Sequence, residues 1–124
     1  MNIHGREVHF LLTVGATRAI SRLCPDNNIQ NIGLIFENQS TDKMIDTIAE
    51  LAAAMSEGYE KQQHYLDRDH EPNPLTKDEV LTFTIPELEE LQTELMGEIG
   101  VGMATEVEAE PEKTKGKKTG KATA

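Results

Sequence analysis

The sequence predicts an α+β, predominantly α-helical protein: a short N-terminal β-hairpin, about four to five helices, and a disordered C-terminal tail. Three observations carry this reading. A glycine turn divides two short apolar segments at the start, apolar residues recur at helical spacing from Met44 to Tyr59, and two helix-capping signatures stand at Thr76 and Thr84. Residues 104–124 contain no Leu, Ile, Met or aromatic side chain and a single Val, so they cannot bury enough apolar surface to offset the entropy of ordering. The expected organisation is one small domain over residues 1–103 and a disordered Lys/Glu-rich tail over 104–124.

At the start, residues 2–4 and 7–12 read as strands around His4-Gly5-Arg6, with Gly5 free to take positive φ. Val8, Phe10 and Leu12 alternate with Glu7, His9 and Leu11, so one side of this stretch is buried. Thr13 is the expected N-cap of a helix over about 14–23, with Ala16, Ala19, Ile20 and Leu23 inward and Pro25 forbidding continuation. Asp26-Asn27-Asn28 is a turn. From Ile29 to Glu37 the apolar spacing fits a helix while Gly33 argues against one. Ser40 or Thr41 then caps a strongly amphipathic helix whose stripe is Met44, Ile48, Leu51, Ala52, Met55 and Tyr59. Gly58 is expected to end or bend it before Leu66. Residues 67–74, with two prolines, form a loop.

Thr76-x-x-Glu79 and Thr84-x-x-Glu87 are capping boxes, each flanked by a hydrophobic staple pair, Leu75 with Val80 and Phe83 with Leu88. Pro86 falls in a first helical turn, where its missing N–H costs nothing. The expected elements are a one-to-two-turn helix around 77–82 and a longer one from 85 to about 99, frayed by Gly97, Gly100 and Gly102.

Charge restricts the partners. Residues 1–103 carry 7 Lys/Arg against 18 Asp/Glu, a net of −11, while the tail is slightly basic. An acidic body repels phosphate backbones, so nucleic-acid binding is not expected. Nor do the tail lysines have the interleaved aromatics that would stack on bases. No stretch approaches a membrane span, nothing at the N-terminus reads as a signal peptide, and the single Cys24 fits a reducing compartment. A cytoplasmic protein without membrane contact is expected.

Searching for chemistry finds no catalytic, cofactor-binding or metal-binding set. His64, Asp67, Asp69, His70 and Glu71 crowd one loop, but their spacing matches neither an HExxH pair nor a calcium loop with its central Gly. Cys24 follows Leu23 directly and reads as a small buried apolar residue rather than a nucleophile. The expectation is a protein that is not an enzyme and takes no cofactor.

What remains is surface. On the last long helix Leu88, Leu91, Leu95 and Ile99 form an apolar seam beside an acidic row of Glu87, Glu90, Glu94 and Glu98. Like charges at i,i+4 oppose a helix by a few tenths of a kcal/mol per pair. The row is either a tolerated solvated face or a surface for a basic partner. Leu88, Leu91, Leu95, Met96, Ile99, Glu90 and Glu94 are the candidate partner-binding residues. Self-association stays open, because the same apolar stripes pack equally well within one chain or between copies.

The hairpin Ile3-His4-Gly5-Arg6-Glu7-Val8, the helix containing Gly15-Ala16, the amphipathic middle helix and the start Leu75-Thr76-Lys77-Asp78-Glu79-Val80 together resemble the tail assembly chaperones of long-tailed bacteriophages, over roughly residues 2–102. The resemblance implies a non-enzymatic protein of the host cytoplasm. It would hold the tape measure protein soluble and help the tail tube protein assemble around it. Met44, Met55, Met96 and Met103 would then offer an adaptable surface, unless they are core filler. The competing expectation is a small acidic regulatory or inhibitory adaptor that binds a host protein.

Overall fold

A computed structural model describes residues 1–37 and 39–108, with side chains described as far as residue 103. The predicted class is the observed one: a two-stranded antiparallel hairpin followed by helices. Strands β1 (Asn2–Ile3) and β2 (Arg6–Glu7) pair Asn2 with Glu7 and Ile3 with Arg6. The turn is His4-Gly5, both at positive φ (51° and 88°), the backbone that a two-residue hairpin needs to match strand twist. Arg6 therefore belongs to β2. Met1 prolongs the ladder, its carbonyl accepting from the Val8 N–H at 2.8 Å and its ammonium donating to the Val8 carbonyl at 3.0 Å.

The second strand expected over 7–12 is only Arg6–Glu7, and among the described residues no third strand pairs with the chain beyond Val8. The chain instead runs extended across a helix, and the Leu11 N–H donates to the Met55 carbonyl at 3.2 Å. The expected alternation survives this change, with Val8 and Phe10 buried and His9 exposed.

Helix α1 (Val14–Ser21) starts as predicted, Thr13 Oγ1 accepting from the Ala16 N–H at 3.1 Å. It ends earlier than predicted, so helical phase is lost before Leu23. Cys24, rather than Leu23, follows Ala16 and Ile20 into the core, and its thiol donates to the Ile20 carbonyl at 3.4 Å. Leu23 and Ala19 face outward. After a 3-10 turn at Pro25–Asn27, with Asp26 and Asn27 left-handed, a 3-10 helix at Ile29–Phe36 resolves the ambiguous segment and buries Ile32 and Ile35.

Helix α2 (Thr41–Leu66) is capped by Ser40 and buries Ile48, Leu51, Ala52 and Met55, with Met44 and Tyr59 half-buried at the ends of the stripe. Gly58 does not end it, since the helix runs on to Leu66. The glycine is there for proximity: a Cβ at this position would lie 2.6 Å from Thr13 Oγ1 and 3.2 Å from the Leu11 carbonyl oxygen. Helix α3 (Lys77–Val80) and helix α4 (Ile85–Glu108) follow.

The two capping boxes differ. At Thr84 the device is complete: the Thr84 N–H donates to Glu87 Oε1 at 2.8 Å and the Glu87 N–H to Thr84 Oγ1 at 3.4 Å. At Thr76 only the hydroxyl arm forms, accepting from the Glu79 N–H at 3.1 Å. The Glu79 carboxylate turns away to Arg6 at 3.0 Å, tying the hairpin to α3. The staple pair Leu75 and Val80 is buried as expected.

Helix α4 passes through Gly97, Gly100 and Gly102 without fraying and continues to Glu108, into the segment expected to be tail. Part of the reason is packing. A Cβ on Gly102 would meet the Leu12 side chain at 2.9 Å, so the extended segment before α1 lies against α4 as well as α2. The rest of the expected disordered tail, residues 109–124, lies outside the described residues.

Stability should fall at both pH extremes, for opposite reasons. The Glu87 carboxyl is held below the ordinary range by the Thr84 backbone N–H and then its hydroxyl. Glu7 is held low by its hydrogen bond from, and then its attraction to, the N-terminal ammonium. Depressed carboxyls contribute stability that is present above their unfolded value, about 4.3, and is lost as pH falls through the folded one. Lys77 moves the other way, raised by Asp46 at 2.6 Å and Glu50 at 3.0 Å. Its contribution is complete below the ordinary lysine value and lost as pH rises past the raised one. Urea midpoints across pH should show both limbs, with Glu87→Gln flattening the acid limb and Lys77→Gln the alkaline one.

Candidate functional site

The candidate partner-binding residues of α4 separate into two groups. Leu88, Leu91, Leu95 and Ile99 are buried against the other core side chains, and Met96 is half-buried beside them. In this fold the seam is used up by the protein's own packing. Glu90 and Glu94 are exposed on the outer side of the same helix. A partner meeting α4 from solvent therefore encounters the acidic row and not the leucines.

Apolar surface remains open elsewhere. A groove of about 380 Å³ runs between α1 and the segment before α3. Ala19 and Leu23 form one wall, Pro74 and Leu75 the other, and Ala53 and Ala54 of α2 the floor. Small residues on the floor let another backbone approach α2 closely. Leu23 is 40% exposed at the rim, released by the early end of α1. Glu50 and Glu57 also line this groove, so a basic residue flanking an apolar stretch would find an anion there. Further exposed apolar side chains stand at the end of α2, Tyr65 (68%) and Leu66 (74%), and at the α3–α4 junction, Leu81 and Ile85.

The far wall of the groove is fixed by hydrogen bonds. Ser56, buried in α2, accepts from the Leu75 N–H at 2.8 Å. Glu60 Oε1 accepts from the Asn73 N–H at 3.0 Å and lies 2.7 Å from His70 Nε2. His64 Nδ1 sits 2.9 Å from the His70 carbonyl, and Arg6 donates to the Asn73 carbonyl at 2.9 Å. Of the residues that invited a metal reading, His64, His70 and Asp67 thus fasten the loop, Asp67 Oδ1 accepting from the Asp69 N–H at 3.1 Å. Among the described residues no group of three or more His, Cys, Asp or Glu is placed to hold a metal ion. Burial pushes the Cys24 thiol pKa up, which disfavours the reactive thiolate.

Sequence reasoning missed the groove, whose walls come from segments far apart in the chain. The run Ala52-Ala53-Ala54 was the available signal, since the helical stripe accounts only for Ala52. Among the described residues no helix is long and apolar enough to cross a membrane. No protein family, no curated protein and no solved structure matches this chain.

Proposed function

We propose that this chain is a non-catalytic binding protein of the tail assembly chaperone kind. It covers apolar helical stretches of a tape measure protein in the host cytoplasm and hands them to the assembling tail tube protein. The observation that carries this reading is the open groove of Ala19, Leu23, Ala53, Ala54, Pro74 and Leu75, set in an acidic helical body. A groove with a small-residue floor accepts one face of a partner helix, and the partner's apolar side chains replace water against Leu23 and Pro74. The negative charge keeps a complex with exposed apolar surface soluble.

The test is co-expression with the tape measure protein, which this proposal expects to be encoded as a neighbour of this gene. Its soluble fraction should rise strongly when this chain is present. Leu23→Glu, at an exposed position, should abolish that rise while leaving the circular dichroism spectrum unchanged. Unchanged solubility of the neighbour with the native chain overturns the proposal, and rescue that survives Leu23→Glu removes the groove from it.

A further inference from the structure

A second cleft, of about 440 Å³, lies between α1 and the later part of α2 and shares Ala19, Ala54 and Glu57 with the apolar groove. Its own lining is basic. Arg18 and Arg22 stand on the α1 wall and Lys61 on the α2 wall. The one carboxylate in the lining, Glu57, reaches Lys61 at 3.5 Å. Arg18 and Arg22 are exposed, one helical turn apart, and pair with no carboxylate among the described residues. Residues 1–103 hold 18 acids against 7 cations, so two adjacent guanidiniums left without an acid are a conspicuous vacancy. The planar fork of each suits a carboxylate.

The chain itself carries acids toward this place. The cleft begins at Thr13, and the residue before it, Leu12, packs on Gly102 of α4, where a Cβ would lie 2.9 Å from its side chain. From Gly102 the helix continues to Glu108, about 9 Å at 1.5 Å per residue. Next in the sequence, outside the described residues, comes Ala109-Glu110-Pro111-Glu112. Four residues of extended chain span up to about 14 Å, and the long Arg and Glu side chains add to that reach. Both carboxylates can therefore return to the α1 wall. The spacing also fits. A proline disfavours helix at the residue before it, so Glu-Pro-Glu favours an extended run. Residues two apart in such a run share a side at about 7 Å, against about 6 Å between residues four apart on a helix. We propose that the cleft is the docking site of this chain's own Glu110-Pro111-Glu112 segment, its two carboxylates accepting from the Arg18 and Arg22 guanidiniums. The Lys113 to Lys121 stretch, of the same sign as the cleft, stays outside it. The strap ties the end of α4 to α1, whose Ala19 and Leu23 wall the neighbouring groove. This inference does not depend on what the groove binds.

NMR of the full chain at slightly acidic pH and low salt tests it. The Nε–H signals of Arg18 and Arg22 should move in E110Q/E112Q, while those of Arg6, held by Glu79, and Arg68, over the Tyr65 ring, stay in place. Amide exchange in α1 should speed up about threefold in that variant, the worth of two exposed ion pairs, and the difference should shrink as salt is added. R18E/R22E should speed α1 exchange likewise, and adding E110R/E112R to it should restore protection, because the charges then match again with their signs exchanged. All four positions lie outside the core, so circular dichroism should stay native throughout. Arginine signals unmoved in E110Q/E112Q overturn the proposal, and so does a quadruple variant that regains no protection. Signals that change on dilution of the native chain overturn it too, since the acids would then come from a second copy.

Discussion

Leu95→Ala is expected to destabilise the fold by about 2–5 kcal/mol, the usual cost of emptying a leucine-sized volume in a packed interior. Leu95 and its neighbour Leu91 are each 0% exposed, so no solvent-side movement can relieve the cavity. A domain of this size has on the order of 5–15 kcal/mol of stability, so one such loss is a large fraction of the whole. The measurement is the urea midpoint at neutral pH, with the exposed Glu94→Gln as control, expected to stay within about 0.5 kcal/mol of the native protein. The pair also settles what α4 is for. If the seam were reserved for a partner, Leu95→Ala would leave the free protein's midpoint unmoved and damage binding alone. A native-like midpoint for Leu95→Ala would therefore remove α4 from the core.

That contrast marks where the sequence was legible and where it was not. Features closed within a few residues were readable: the Thr13, Ser40, Thr76 and Thr84 caps, the Leu75/Val80 staple and the turn at Gly5 all form as expected. Their partners lie inside the same turn of chain, so local pattern and local chemistry coincide. Features decided by distant neighbours were not readable. Glu79 fits a capping box, yet its carboxylate goes to Arg6, which tertiary folding alone brings near. The seam Leu88-Leu91-Leu95-Ile99 was legible as apolar, but periodicity does not say whether the covering surface belongs to this chain or another. The groove was the least legible of all. Its exposed leucine results from α1 stopping at Ser21, and its far wall is held by bonds from residues distant in the chain, Ser56 to Leu75 and Glu60 and Arg6 to Asn73.

Glycines repeat the lesson in a form that mutation reads directly. Gly58→Ala and Gly97→Ala are the same chemical change inside long helices, and local propensity gives both a gain of roughly 0.5–1 kcal/mol. At Gly97 a Cβ meets nothing within 4 Å, so that gain should appear in full as a higher urea midpoint. At Gly58 the new carbon would sit 2.6 Å from Thr13 Oγ1, 3.2 Å from Thr13 Cγ2 and 3.2 Å from the Leu11 carbonyl oxygen. Thr13 cannot rotate away freely, because Oγ1 caps α1. Nor can Leu11 retreat without stretching its N–H bond to Met55. Overpacking of this kind costs about 1–3 kcal/mol, enough to outweigh the propensity gain, so Gly58→Ala should lower the midpoint. The loss should concentrate in α1 and the segment before it, since these are the parts that must move off α2. Amide exchange should therefore speed up in residues 11–21 of Gly58→Ala while the α4 core keeps its protection. Equal gains at both glycines would show that the extended segment does not press on α2.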